Sequence, residues 1–350
     1  RKTVNSGKLF SMRDLQGFAC DVDKSLTPAT VLAATQTLYE DGYVTYPRTN
    51  SSYLATNEVV KVDTAIKGLV QAGITGLIDK QGTKSIYDDS KIEAHSAIIP
   101  TGKWPGELSG AEKTVYECIL NRFCAVFCED ACTVDRTTIV IHCYDEDFTL
   151  KGDVQVTLGW RKFEQPSSGD KILPKLHKGE SVNIKFAPVG KMTTPPKRYT
   201  VKALNNWMVA PLRGVENEGT EYTDEDWKEI LSDATICTDA TRADTISRCI
   251  QSQYRSLKKG VYYGEPAGFY LVDAMNSLGI TLDVKTTVEL SKDLYHVKAG
   301  TVSRIDVLNK TKDTINQIMN SGGTIKSQYQ GTAGQYTVIG KCPKCGGDGV

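Results

Sequence analysis

The amino-acid sequence predicts an α+β, multidomain chain in which two mostly helical domains flank a small antiparallel β domain. Three observations carry that prediction. Apolar residues recur at helical spacing through the first third of the chain. The period then changes to strand-like alternation between residues 137 and 158, and a proline pair at 195–196 separates that stretch from a second helical region. The expected boundaries are 1–130, 131–196 and 197–335, with 336–350 as a Gly-rich tail. At 350 residues the chain is long enough for two or three domains and a sizeable core.

Taken in order, Thr27-Pro28 opens a helix with a cap and a proline at the first helical position. Val31, Leu32, Thr35, Leu38 and Tyr39 form one face of it, and Gly42 closes it. Tyr43 to Tyr46 reads as a short extended segment. A second helix starts near Asn57, with Val59, Val62, Ile66 and Leu69 on its apolar side, and stops at Gly73. A third runs from about Ala111 to Phe127. The preceding Asp21-Val22-Asp23 reads as a solvated loop.

Strands are expected at Thr137–Cys143, Phe148–Leu150 and Val154–Leu158, with an acidic turn at Asp145-Glu146-Asp147, and again at Val182–Phe186. Met192–Pro196 is a natural linker, since consecutive prolines exclude helix. Helix returns from Thr200, and no repeat of solenoid period is present.

Charge is balanced, with 42 basic against 42 acidic residues, so no global basic field advertises nucleic acid, although a local basic groove is compatible with a neutral total. No apolar run of about 20 residues and no signal-peptide pattern occurs. The spacing of the ten cysteines does not suit a small disulfide framework. Cys118, Cys124, Cys128 and Cys132 lie in or beside the third helix and read as buried small hydrophobes. A cytoplasmic, reduced setting is expected. Cys342 and Cys345 form half of a zinc-knuckle pattern, one pair short of a tetrahedral site. With no initiating methionine before Arg1, the chain reads as a segment of something longer.

Three stretches carry candidate chemistry. The first is "YEDGYVTYPRTN", residues 39–50, which sets Tyr46 two residues before Arg48. A phenol titrates near ~10 and is a poor nucleophile unless cations favour its phenolate or a base takes its proton. An arginine stays charged and matches phosphate geometry with a bidentate fork. The second is "EAHSAIIPTG", residues 93–102, where His95 could donate a hydrogen bond to a phosphate oxygen or a leaving alkoxide. In the third, "ICTDATRADTISRCI", Thr238 or Asp239 can cap a helix whose first turn holds Thr241 and Arg242, with Arg248 two turns along. Each stretch alone is compatible with an ordinary packed tyrosine, a structural histidine or a capped surface helix.

In combination they say more. Tyr46 with Pro-Arg-Thr, the Glu-Ala-His-x-Ala-Ile-Ile-Pro-Thr run, "TTPPKRYT" at 193–200 and "DATRAD" at 239–244 occur in this order, with "LFSMRDLQ" at 9–16 and "GWRKFE" at 159–164 as connecting segments. Together they closely resemble the cleavage–rejoining core of type IA DNA topoisomerases, the topoisomerase III branch most of all, over residues 8–275. The resemblance implies the arch of a torus, with the β domain as its hinge. It implies Tyr46 as the nucleophile that forms a 5′-phosphotyrosine, Arg48 as the stabiliser of the transition state and His95 as a contact to the scissile region. Thr49, Thr241, Arg242 and Arg248 would then contact single-stranded DNA. It further implies relaxation or decatenation of DNA without ATP, a monomer with no membrane or nucleotide partner, and a place in the bacterial nucleoid. Consistently, no G-x-x-x-x-G-K-[ST] loop appears.

The sequence also departs from that family. Asn50 stands where the family has Asp, and Cys237-Thr238-Asp239 replaces a usual Gly-Thr-Pro, so an acid faces the expected phosphate. The upstream Toprim lobe, whose glutamate and Asp-x-Asp pair bind Mg²⁺, has no counterpart, since Asp21-Val22-Asp23 lacks the surrounding strand and turn. The resemblance therefore implies Mg²⁺ through an absent lobe and Zn²⁺ in an extended tail. The alternative is a catalytically incomplete single-stranded DNA-binding module, with Trp207 or Tyr254 stacking on bases. A tyrosine recombinase or type IB enzyme also joins Tyr, Arg and His, but normally carries its tyrosine near the end of the catalytic domain.

Overall fold

Hydroxyl caps start the first two helices. In the computed structural model, whose described residues are 1–164, 169–183, 189–214, 223–232, 235–280, 284–320, 340–341 and 348–349, helix α1 spans Met12–Val22. Its Ser11 cap accepts a hydrogen bond from the Asp14 amide at 3.2 Å. Met12, Leu15, Gln16, Ala19 and Cys20 are buried at helical spacing, and that periodicity carries the helix through Asp21 and Val22, which the sequence reading had assigned to a loop. Asp23 ends α1, and the Ser25 hydroxyl and amide hold its carboxyl below the usual range.

Helix α2, Pro28–Glu40, begins at a Thr27–Thr30 capping box and packs against α1 and α4, Gly110–Val126. It buries Val31, Ala34, Thr35 and Leu38, whereas Leu32 is half-buried and Tyr39 is 39% exposed. The predicted face is thus narrower than expected, and Tyr39 lies outside it. Helix α3, Val59–Gln71, buries Val62, Ala65 and Leu69 and stops at Gly73, whose φ of 93° only glycine adopts readily. The four cysteines from 118 to 132 are buried and free, and burial pushes the Cys118 and Cys124 thiols up to about 12.

Strand β1, Lys2–Thr3, precedes these helices and pairs with β2, Thr133–Cys143, which in turn pairs antiparallel with β3, Glu146–Thr157. The expected acidic turn at 145–147 falls instead on Tyr144-Asp145, because Cys143 pairs with Glu146. A two-residue hairpin turn demands positive φ, which Tyr144 takes at 52°. The two strands expected at 148–150 and 154–158 are one. Gly152 joins them, and a Cβ there would stand 2.3 Å from the Lys171 carbonyl oxygen, so only glycine lets residues 170–171 cross the strand. Of the strand expected at Val182–Phe186, Val182 and Asn183 join no ladder, and residues 184–186 lie outside the described residues.

The chain divides into two compact units, Arg1–Ala203 and Leu204–Val350. The hairpin belongs to the first because its base is tied to the helical body. The Val4 amide donates to the Cys132 carbonyl at 2.9 Å, Trp160 Nε1 donates to the Val4 carbonyl at 2.7 Å, and Arg122 pairs with Glu164 while donating to the Lys8 carbonyl at 2.8 Å.

Helix α5, Val201–Val209, runs across the division. The second unit holds α6 Asp224–Ser232, α7 Asp239–Gln251, α8 Pro266–Ser277, α9 Val284–Lys298 and α10 Arg304–Asn320. Leu212, Trp227, Ile230 and Val288 form a core there, and the Tyr295 hydroxyl donates to Asp226 at 2.7 Å beside it. This unit also contains a hairpin that the helical reading missed, β4 Arg255–Lys258 with β5 Val261–Gly264. Its signal was Lys259-Gly260, both at positive φ in a tight primed turn. Strands β6, Gly340–Lys341, and β7, Asp348–Gly349, pair near the end. No helix among the described residues is long and apolar enough to cross a membrane.

Candidate active site

The site is built where α2 ends. Gly42, at φ 78°, sends its amide to the Tyr39 carbonyl at 2.9 Å, and Tyr43 sends its amide to Leu38 at 2.8 Å, the two bonds of a Schellman motif. The 101–103 turn covers the carbonyls beyond it. The Thr101 hydroxyl donates to the Gly42 carbonyl at 2.7 Å, and Lys103 Nζ donates to the Asp41 carbonyl at 2.9 Å while lying 4.7 Å over the Tyr43 ring. Thr101 and Lys103 are staples on this helix end.

From there the chain runs extended. Val44 bridges Pro100 and Phe10 bridges Ile98. The Thr45 amide donates to the Ile99 carbonyl at 2.9 Å, and its hydroxyl donates to the Ala97 carbonyl at 3.2 Å while accepting from the Ile99 amide at 3.0 Å. These bonds zip the tyrosine segment onto the histidine segment. As a result the Tyr46 and His95 rings lie 4.4 Å apart, tilted by 46°, and Tyr39 presents its ring edge-to-face with Tyr46 at 5.4 Å. Tyr46 is half-buried, and Arg48 and His95 are exposed. Among the described residues the Arg48 guanidinium has neither a hydrogen-bond nor an ion-pair partner, so it is available to an anion from solvent.

Thr49, expected to touch DNA, is 2% exposed. Its hydroxyl donates to the His95 carbonyl at 2.8 Å and accepts from the Ser51 amide at 3.1 Å, and its carbonyl accepts from the Met12 amide at 3.0 Å. In this structure it joins three segments and offers no free donor. Two serines extend the framework, since Ser51 donates to the Lys91 carbonyl at 2.9 Å and Ser52 to the Asp14 carboxylate at 3.0 Å. Asn50 donates its amide to the Glu93 carboxylate at 2.8 Å. An ionised aspartate there could not donate and would oppose Glu93 as a like charge, so the sequence departure at 50 is matched by its partner.

Of the candidates in the second unit, Arg242 is 5% exposed and donates to the Cys237 carbonyl at 3.1 Å. The Thr241 side chain accepts from the Thr238 amide at 3.2 Å, closing the start of α7, and Arg248 pairs with Asp244 at 2.8 Å on an exposed face. Thr241 and Arg242 therefore shape the helix start, and Arg248 stands at the surface. Trp207 and Tyr254 are 40% and 39% exposed, enough to offer a ring face or edge to a base.

The family's Mg²⁺ does not fit the residues here. Among the described residues no three His, Cys, Asp or Glu side chains group as a metal set, and Asp21 is paired with Lys24 at 2.8 Å. Cys342 and Cys345 lie outside the described residues. The sequence reading missed Tyr39, Ser51, Ser52 and Glu93 as parts of the site. The tyrosine was visible as the one aromatic in the last turn before Gly42, but nothing local shows that it turns toward Tyr46.

A reachable tyrosine in ring contact with a histidine, with an unpaired arginine two residues on, is a site suited to phosphodiesters on an α+β scaffold. Comparison with known proteins agrees. The family model described as DNA topoisomerase matches residues 1–309, and the chain belongs to the type IA DNA topoisomerases. It is 26% identical over 335 residues to DNA topoisomerase 1 of Methanothermobacter thermautotrophicus, covering 92% of this chain and 42% of that protein. It is 27% identical over 375 residues to DNA topoisomerase 3 of Bacillus subtilis, covering 99% and 49%. The fold resembles that of full-length topoisomerase I from Thermotoga maritima, with a TM-score of 0.58 and 21% identity over 93% of this chain and 52% of that one. The chain thus spans about half the length of the relatives it matches.

Proposed function

We propose that these residues carry the tyrosine half of a centre that cuts and rejoins single-stranded DNA. Tyr46 Oη attacks the phosphorus, the Oη–P bond forms and the P–O3′ bond breaks. The phenolic proton leaves and the departing 3′ oxygen gains one. Rejoining reverses each change, and because the phosphotyrosine conserves the bond energy no nucleotide is needed. Arg48 neutralises the equatorial oxygens and His95 donates to the phosphate or the leaving oxygen. The observation that carries this reading is the 4.4 Å tilted contact of the Tyr46 ring with His95, with an unpaired Arg48 two residues on from the tyrosine.

The β hairpin would act as the hinge of the arch, and Arg248 with Trp207 or Tyr254 would hold the strand. Mg²⁺ would be held by acidic groups beyond these residues. Zn²⁺ would need more ligands than Cys342 and Cys345. The match over 99% of this chain to a relative named topoisomerase 3, against 92% for one named topoisomerase 1, supports the topoisomerase III-like branch. The protein would work as a monomer on DNA in the nucleoid.

The test is covalent trapping on single-stranded DNA labelled at its 3′ end, with Mg²⁺ and a denaturing quench. Where those acidic groups are present a labelled adduct is expected, because the 5′ phosphate stays on the protein, and DNA labelled at its 5′ end should give none. The reverse pattern would assign the site to 3′-phosphotyrosine chemistry. Salt-sensitive binding without any adduct would make the chain a binding module. Arg48→Ala should slow adduct formation by about 10²–10³-fold, the usual loss of a transition-state donor.

A further inference from the structure

We infer that Tyr39 is a positioning residue for the nucleophile, holding the Tyr46 ring in one orientation against His95. The inference rests on Tyr46 being the reacting group and goes beyond it by assigning a residue that does not itself touch the reacting atoms.

Three observations support it. First, the Tyr46 ring has an aromatic neighbour on each of two sides, His95 at 4.4 Å and Tyr39 at 5.4 Å with an interplanar angle of 83°. Edge-to-face geometry is directional, so it restrains rotation of the ring as well as its position. Second, the backbone that carries Tyr39 is fixed. It sits in the last turn of α2, its carbonyl accepts from Gly42, and the Asp41 and Gly42 carbonyls are capped from the 101–103 turn. The residues that lock this helix end are the same ones that follow His95, so both ring neighbours of Tyr46 are held by one framework. Third, Tyr39 is 39% exposed on a helix that buries Val31, Thr35 and Leu38. A ring placed only for packing would lie with them, whereas this one is turned toward the tyrosine.

The consequence is chemical. A phenol that must meet a phosphorus in line gains from being held near the reactive geometry, and misplacement by about 1 Å can slow a reaction about 100-fold. Tyr39 would act through its ring and not its hydroxyl. The conservative variant Tyr39→Phe should therefore keep the function, and Tyr39→Ala should lose it.

Two measurements test this on the full chain. In the first, tyrosine is ¹³C-labelled in the ring and the Tyr46 signal is identified by its disappearance in Tyr46→Phe. In the wild-type and Tyr39→Phe chains that signal should sit apart from the free-tyrosine position, shifted by its neighbours. In Tyr39→Ala it should move toward the free position. An unmoved Tyr46 signal in Tyr39→Ala overturns the inference, whether or not the chain cleaves DNA.

In the second, adduct formation is followed at saturating single-stranded DNA. Tyr39→Ala should be slowed about ten- to hundredfold with the dissociation constant and melting temperature unchanged, and Tyr39→Phe should stay within about twofold of wild type. Weakened binding at an unchanged saturating rate would instead make Tyr39 a base-stacking contact and overturn the inference. A wild-type chain that forms no adduct would count against the nucleophile reading alone, since the ring signal still decides whether Tyr39 orients Tyr46.

Discussion

Tyr46→Phe is expected to abolish the covalent adduct while leaving the fold and DNA binding intact. The substitution removes one oxygen from a half-buried ring and keeps the ring that Tyr39 and His95 contact, so its effect on stability should stay within about 0.5 kcal/mol. The nearby aliphatic hydroxyls at 49, 51 and 52 cannot take over. Thr49, Ser51 and Ser52 are 2%, 3% and 9% exposed, and each of their hydroxyls is committed to a carbonyl or to Asp14. An activated alcohol must reach the phosphorus, and these three face inward. The measurement is the trapped adduct on DNA labelled at its 3′ end, read beside a binding isotherm and a melting curve. An adduct that persists in Tyr46→Phe would move the nucleophile elsewhere and end the assignment. Loss of binding together with the adduct would make Tyr46 a docking residue.

Gly68→Ala should destabilise the first unit by about 2 kcal/mol. In an ordinary helix this change stabilises by up to about 1 kcal/mol, because alanine has the higher propensity. Here the sign reverses. A Cβ on Gly68 would stand 2.1 Å from the Gly102 carbonyl oxygen and 2.7 Å from its Cα, and a Cβ on Gly102 would meet the Thr64 carbonyl oxygen at 2.7 Å. Both walls are backbone, so no side-chain rotation relieves the overlap. Overpacking of this kind costs up to about 3 kcal/mol, which exceeds the propensity gain. The melting temperature should fall by about 4–8 °C. Gly102 belongs to the turn that staples α2 and follows the strand paired with Thr45, so the adduct rate should fall with it. A variant as stable as wild type would mean that α3 and this turn can separate at no cost, and that the contact does not hold the site.

These two expectations differ in how far the sequence alone supports them. The candidate nucleophile was legible because its motifs are short and ordered along the chain, as were the helix start at Thr27 and the stop at Gly42. Such signals act within one turn, through caps, a proline and a positive φ, and a reader of the residues has every group they need. The end of α1 and the position of the hairpin turn were misread by a few residues. In those places burial periodicity and strand register outweighed the local acidity of Asp21–Asp23 and Asp145–Asp147.

The Gly68–Gly102 contact, the burial of Thr49 and the turning of Tyr39 were not legible in that way. Thr49 donates to a carbonyl 46 residues distant, and Thr45 to one 52 residues distant. Whether a threonine between two candidate DNA contacts faces solvent or its own framework depends on those partners, and nothing within a few residues of it specifies them. Asn50 is the clearest case. By itself it is a lost charge, and with Glu93 opposite it is a donor placed where an acid would be repelled. The sequence by itself pointed to Tyr46, Arg48 and His95 as the candidates for the chemistry and to the helix whose end precedes the tyrosine. The tertiary structure decided which of them face solvent and which are tied into the framework, because that choice is made by hydrogen bonds and packing between segments distant in the chain.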